Sequence, residues 1–436
     1  MHLLVYLSLF FALALASVTE ISLDNKHRHR HEQQGHHDSA KHGHQKDKQQ
    51  QEQIKNDEGK LTKEEKILSE ENSDFSVNLF NQLSTESKRS PRKNIFFSPI
   101  SISAAFYMLA LGAKSETHQQ ILKGLSFNKK KLSESQVHEA FKRLIEDSNN
   151  PMKAHQFTIG NALFVEQTVN ILKGFEENVK HYYQAGVFPM NFKDPDNAKK
   201  QLNNYVKDKT HGVIQEMIRE LDSNTEMVLV NYVLYKGEWA NNFNPTLTQK
   251  SLFSVDKNTN VTVQMMNRLG LYRTYQDDDC KIIELPYKND TAMLLVFPQL
   301  GKIQELVLTS KLINHWYESL ATSIVDLYMP TFSISGKVVL KDTLRKMGIS
   351  DIFTDKADLT GISEQIKLKV SMASHNAVLN VNEFGTEAVG ATSAQASPTK
   401  LFPPFLIDSP FLVMIYSRTL GSQLFMGKVM DPTNAQ

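Results

Sequence analysis

Residues 377–404 read AVLNVNEFGTEAVGATSAQASPTKLFPP, from Ala377 to Pro404, and the fold turns on how this stretch is understood. It opens as a strand, with Leu379 and Val381 on one face and Asn380 and Asn382 on the other. From Gly385 to Thr399 the side chains become mostly Gly, Ala, Ser and Thr, and Glu387 is the only charged one. A flexible linker would carry more glycine and charge, and would not lie between two strand-like segments. A structureless run of this length inside a compact domain demands a reason.

One reason is that the segment can become a strand. Thr386, Ala388, Gly390, Thr392, Ala394 and Ala396 alternate along it, so one face would be small throughout. Such a face slides into a packed sheet without overpacking its core. Val389, the bulky aliphatic member, falls on the opposite face, and no proline precedes Pro398, so every N–H from Gly385 to Ser397 is free to join a ladder. At roughly 0.5–1.5 kcal/mol net per bond, about a dozen new bonds would release on the order of ten kcal/mol. The exposed loop therefore holds stabilisation that is not yet realised. Phe384 shares the parity of Thr386, and its ring is expected to hinder the first step of insertion.

Upstream, Asn94 to Gly112 (NIFFSPISISAAFYMLALG) predicts a short strand, a Ser-Pro turn and a helix apolar on every side, which belongs in the middle of a sizeable core. Leu61, Ile67, Leu68, Phe75, Leu79, Phe80 and Leu83 fit one face of an earlier helix, with Asn72 or Ser73 as its expected N-cap. Strand patterns recur at 157–164, 227–235, 282–285, 292–297, 325–328, 411–417 and 424–428, with helical ones at 133–146, 198–210 and 340–347. Mixed elements with little regular alternation predict an α+β fold. No internal repeat or linker follows Lys60, so residues 60–436 are expected to form one domain around a large sheet system.

Ahead of that domain, Leu3 to Leu15 is a short apolar run ending in small residues, the pattern of a signal peptide spanning 1–16 and cut near Ala16–Ser17. Asn260-Val-Thr262 and Asn289-Asp-Thr291 are glycosylation acceptors suited to an exported chain. Residues 17–59 are an expected extension rich in His, Gln and Lys, and 24–58 lack the apolar surface to fold. His27, His29, His31, His36, His37, His42 and His44 place seven of the chain's 15 histidines there. Neutral imidazole takes Ni, Cu or Zn, so an exchangeable divalent ion is expected, with binding fading below about pH 6.

The net charge of +1 excludes a globally basic nucleic-acid binder, and the single cysteine, Cys280, excludes a disulfide framework. The motifs of common enzymes are missing. No His-Glu-x-x-His occurs, Gly361-Ile-Ser363-Glu-Gln365 lacks the closing glycine of a nucleophile elbow, and Gly421 to Lys428 has the wrong spacing for a phosphate loop. Asp277, Asp278 and Asp279 beside Cys280 would blunt a thiol nucleophile. The chain reads as a non-enzyme requiring no cofactor.

From Lys60 to Pro432 the sequence resembles a serpin, and in particular the secreted α1-antitrypsin-like group. The likeness rests on Asn94-Ile-Phe-Phe-Ser98-Pro99 with Ser101, Asn231 with Trp239, Leu285-Pro-Tyr287, Asp358-Leu-Thr-Gly361, Phe425-Met-Gly-Lys-Val429 with Pro432, and Glu383-x-Gly385-Thr386-Glu387-Ala388. It implies a large central sheet with two further sheets, surrounding helices and an exposed reactive-centre loop. It also implies a secreted, monomeric suicide inhibitor of serine proteases: the loop is attacked as substrate, the acyl-enzyme forms, and the freed loop inserts with the protease attached. A non-inhibitory carrier with the same fold is the alternative. Family spacing puts the scissile bond at Thr399–Lys400, sixteen residues beyond Glu383, whereas a trypsin-like enzyme would prefer Lys400–Leu401. Glu383, Gly385, Thr386, Glu387, Ala388, Gly390 and Ala391 fall on the hinge; Ser98, Ser101, Asn231 and His375 fall on a hydrogen-bonded cluster under the central sheet. The histidine-rich extension is similar to that of a nickel-binding member. Lys129-Lys130-Lys131, beyond Lys114 and Lys123, resembles a heparin-binding site, although a solvated charge run is the commoner meaning of such a pattern; neither a nucleic-acid nor a membrane partner is implied.

Overall fold

In the computed structural model the described residues are 62–434, without 89, 128–131, 150–155, 289, 300–301, 387–403 and 420. The first helix, α1 (Lys63–Ser87), starts earlier than the expected cap at Asn72 or Ser73. Thr62 accepts from the Glu65 N–H while the Glu65 carboxylate accepts from the Thr62 N–H, a capping box. Asn72 and Ser73 are therefore not the cap. Both are buried within α1, where the Asn72 amide donates to Ser422 Oγ at 3.0 Å and to the Gln423 carbonyl at 3.2 Å. The Thr-x-x-Glu spacing at 62–65 was the readable signal.

After β1 (Ile95–Phe97), Ser98 caps α2 (Pro99–Ala110), whose twelve residues are all buried. Then follow α3 (Ser115–Gly124), α4 (Glu134–Ser148), β2 (Gln156–Glu166), α5 (Lys173–Tyr183), β3 (Gly186–Met190), α6 (Pro195–Lys209) and β4 (Met227–Glu238). Next come β5 (Gln249–Asp256), β6 (Thr259–Gln276), β7 (Cys280–Pro286), β8 (Thr291–Pro298), α7 (Ser310–Ser319), β9 (Ala321–Pro330), β10 (Phe332–Val339) and α8 (Leu340–Lys346). The chain closes with β11 (Met372–Asn382), β12 (Gly385–Thr386), β13 (Pro404–Leu406), β14 (Phe411–Ser417) and β15 (Gln423–Val429).

These strands make two hydrogen-bonded sheets. The central one runs β10-β11-β12-β4-β2-β3. The other runs β1-β15-β14-β8-β7-β6-β9-β13, with β5 paired to β6. The two further sheets implied by the resemblance thus continue into each other through β6, whose 18 residues pair with β9 along one stretch and with β7 from Arg273 to Gln276. The unbroken apolar run of β4 has a physical cause. Met227, Leu229, Val233 and Tyr235 face the main core, against which α2 packs. Val228, Val230, Tyr232 and Leu234 face a second core supplied by Ala198, Leu202 and Val206 of α6. A strand covered on both faces has no polar side to show.

Candidate functional site

The site lies on the seam between β4 and β11. From Met372↔Val228 to Val378↔Leu234 these strands pair directly and in parallel. Above that point they separate and admit β12. Thr386 sits opposite Val381 of β11 and Gly237 of β4, and Gly385 sits opposite Asn382 and Glu238. The segment whose small-residue alternation stood out in the sequence therefore begins with two residues already seated between the two strands.

The entrance is firmly built. The Phe384 carbonyl accepts from the Trp239 N–H at 3.0 Å and the Glu383 carbonyl from the Phe243 N–H at 2.8 Å. The Trp239 indole donates to the Asn382 carbonyl at 2.9 Å, and Thr248 Oγ1 donates to the Glu383 carboxylate at 2.6 Å. Gly385 has φ +143°, and a Cβ there would lie 2.0 Å from the Gly237 carbonyl oxygen, so no other residue fits. Thr386 is 0% exposed, and its hydroxyl shares a 2.9 Å hydrogen bond with Tyr287, whose ring stacks on Trp239 at 4.5 Å. Phe384 corrects the expectation drawn from parity. It is half-buried in the turn ahead of β12 and outside the ladder, so the alternation that would aim its ring inward does not extend to it.

Lower on the same seam the structure brings Ser98, Ser101, Asn231 and His375 together. Asn231 and His375 are opposed across the β4–β11 pair. The Ser98 N–H donates to His375 Nε2 at 3.1 Å, which leaves Nδ1 as the protonated nitrogen donating to Asn231 Oδ1 at 2.5 Å. Asn231 Nδ2 donates to Ser101 Oγ and to Asn161 Oδ1, each at 2.7 Å. Sequence reasoning missed Asn161, although an asparagine in the middle of apolar β2 was the signal; it faces Asn231 in register. The cluster ties three neighbouring strands to the N-terminus of α2, and it must come apart wherever β4 and β11 do.

Burial holds the His375 imidazole neutral, with its pKa down from 6.5 to about 3. The depressed value means that the unfolded chain takes up the proton before the folded one does. The stabilisation is fully present above about pH 6.5 and is lost as pH falls toward 3, at no more than about 1.4 kcal/mol per pH unit. Urea unfolding at pH 7.5 and pH 5.0 should therefore differ by about 2 kcal/mol from this group. His375→Gln should be less stable at pH 7.5 but lose that part of the slope; an equal slope in both proteins would contradict the assignment.

The remaining expected positions divide simply. Glu387, Ala388, Gly390, Ala391, Thr399, Lys400, Asn289, Lys129 to Lys131 and the seven N-terminal histidines lie outside the described residues. Asn260 and Thr262 are exposed at the β5–β6 turn. Cys280 is buried, and burial first, then the Asp277 carboxylate, pushes its thiol up to about 12. Among the described residues no group of three His, Cys, Asp or Glu could hold a metal ion, and no helix is long and apolar enough to cross a membrane.

Residues 70–432 match the family described as Serpin (serine protease inhibitor). Similar curated proteins include the alpha-1-antiproteinase of Bos taurus, 41% identical over 365 residues, spanning 83% of this chain and 87% of that protein. The alpha-1-antiproteinase of Rattus norvegicus is 42% identical over 364 residues, spanning 83% and 88%. Among solved structures, human thyroxine-binding globulin complexed with thyroxine superposes with a TM-score of 0.79 at 38% identity, covering 85% of this chain and 100% of that one. Human glycosylated kallistatin gives 0.78 at 36% identity, covering 86% and 100%.

Proposed function

The chain belongs to the serpin family of serine protease inhibitors, and from that premise we propose that it is a secreted suicide inhibitor whose reactive-centre loop inserts between β4 and β11 after cleavage. The observation that carries this reading is β12: two residues of the loop's base already occupy the gap in antiparallel register with both neighbours. Each further residue that follows Thr386 into the seam adds ladder bonds on both sides, in exchange for one parallel β4–β11 pair. The hinge of this movement is Glu383 to Ala391, and the bond attacked is Thr399–Lys400. A protease held as an acyl-enzyme at Thr399 would be carried along the seam as the strand forms.

Incubation with a panel of serine proteases tests the reading. An inhibitor leaves an equimolar complex that survives SDS, with the nick mapped by mass spectrometry to Thr399–Lys400. Cleavage with no such complex would leave the second reading, a non-inhibitory carrier, which is favoured by the likeness to thyroxine-binding globulin.

The extension at 17–59 is assigned a separate role, the reversible binding of Ni, Cu or Zn through His27, His29, His31, His36, His37, His42 and His44. Deletion of residues 24–58 should abolish most nickel uptake in equilibrium dialysis and leave the thermal transition unchanged. Uptake retained by the shortened protein would place the metal elsewhere. Glycans at Asn260 and Asn289 and contact of heparin-like polyanions with Lys129, Lys130 and Lys131 complete the proposed extracellular reading.

A further inference from the structure

The outer face of the central sheet, the one covered by α6 and the segment after it, carries a charge that loop insertion leaves idle. Lys337 lies on the edge strand β10 directly opposite Asn376 of β11. Residues opposed in a ladder share a face, as do residues two apart, so Lys337 and Ser374 both stand on this outer side. Between that face and residues 216–220 lies a cavity of about 740 Å³, lined by Lys337 and Ser374 and, on its apolar side, by Met217, Ile218 and Met372. Its size is within the range of small-molecule sites, about 300–1,000 Å³.

Inside the cavity two polar groups are unanswered. Lys337 Nζ is closed off from solvent and has no hydrogen-bond partner among the described residues, and the Ser374 hydroxyl is in the same condition. A desolvated ammonium without a hydrogen-bond partner is unfavourable, and the Glu216 carboxylate offsets it only in part. Two of the three acidic groups on the wall are paired with other cations. Glu86 pairs with Lys346 at 2.9 Å and accepts from Thr343 Oγ1, while Glu216 pairs with Arg219 at 3.3 Å. What remains on the lining is Lys93 and Lys337 against Glu220, an excess of one positive charge. Burial and the Arg219 guanidinium push the Lys337 ammonium below the ordinary lysine range, a direction that a bound anion would reverse.

We propose that this cavity binds a small amphipathic monocarboxylate, with the Lys337 ammonium and the Ser374 hydroxyl on the carboxylate and the Met217, Ile218 and Met372 wall around the hydrocarbon. A single carboxylate matches the single excess charge, whereas a phosphate dianion would exceed it by one.

Decanoate, with decanol as its uncharged counterpart, is titrated calorimetrically into the full-length protein. One decanoate should bind per chain, about tenfold or more tighter than decanol. Lys337→Met should weaken decanoate by about tenfold or more and leave decanol unchanged, while Lys93→Met, at the exposed rim, should change either by less than about threefold. A second measurement does not depend on any variant folding: decanoate, and not decanol, should protect Lys337 of the wild-type protein from reductive dimethylation, read by peptide mass spectrometry. Absence of saturable decanoate binding, equal binding by wild type and a folded Lys337→Met, or Lys337 labelling indifferent to decanoate would each overturn the proposal.

Discussion

A single proteolytic nick near Thr399 should raise the thermal transition of this protein by on the order of 10–20 °C. Cleavage ordinarily loosens a chain, so a rise of any size would be informative, and the size follows from the ladder. Among the described residues of the intact protein, Gly385 and Thr386 of the loop enter the seam. Release of its far end lets residues through Ser397 follow, about a dozen hydrogen bonds at roughly 0.5–1.5 kcal/mol each, or on the order of ten kcal/mol. A domain of this length has an unfolding entropy near 0.8 kcal/mol per degree at roughly 2.1 cal/mol/K per residue, which converts that gain into the expected shift. The sheet has reason to accept the strand. Thr386, Ala388, Gly390, Thr392, Ala394 and Ala396 present one small face, so the core beneath β4 and β11 is not overpacked. Calorimetry before and after limited proteolysis reads the shift; a transition that stays put or falls would leave no stored energy to explain.

Thr386→Arg should convert the inhibitor into a substrate. Thr386 is wholly buried beside Tyr287 and Trp239, at the point from which every later residue must follow. A guanidinium at that position has no carboxylate to meet among the groups Thr386 contacts, and desolvating an unpaired charge costs several kcal/mol. The acyl-enzyme would then hydrolyse before the loop advances. The yield of SDS-stable complex should fall on the order of 100-fold, with cleavage at Thr399–Lys400 proceeding unhindered. Thr386→Ser, which keeps the hydroxyl and the size, should retain the complex. Undiminished inhibition by Thr386→Arg would mean that the Thr386 face does not turn inward.

Much of this architecture was legible because its signals are local. The strand, turn and apolar helix within Asn94 to Gly112, the strand at 227–235 and the alternation of β11 each follow from composition at a fixed period. What stayed hidden depends on distant partners. Strands β5 and β6 mix exposed Leu252 and Leu271 with polar neighbours, which blurs the period-two pattern. Strand β10 ends in the exposed Val339, and its neighbour β11 arrives more than thirty residues later. Asn161 gains its meaning only when β2 meets β4 and its side chain meets Asn231. Phe384 was misplaced because parity counts residues as if the strand were continuous, and a turn at Glu383 and Phe384 breaks the count. Lys337 gave no signal at all, since a lysine on an edge strand is ordinary until the cavity over it is seen.

The separation of β4 and β11 is the most direct quantity to measure. Val230 and Ser374 are paired neighbours in the intact protein, one strand spacing apart. In a crystal structure of the protein cleaved at Thr399–Lys400, the account predicts a new strand between them and a separation of about 10 Å, twice the usual 4.8 Å. A cleaved protein in which Val230 and Ser374 still pair directly would contradict it.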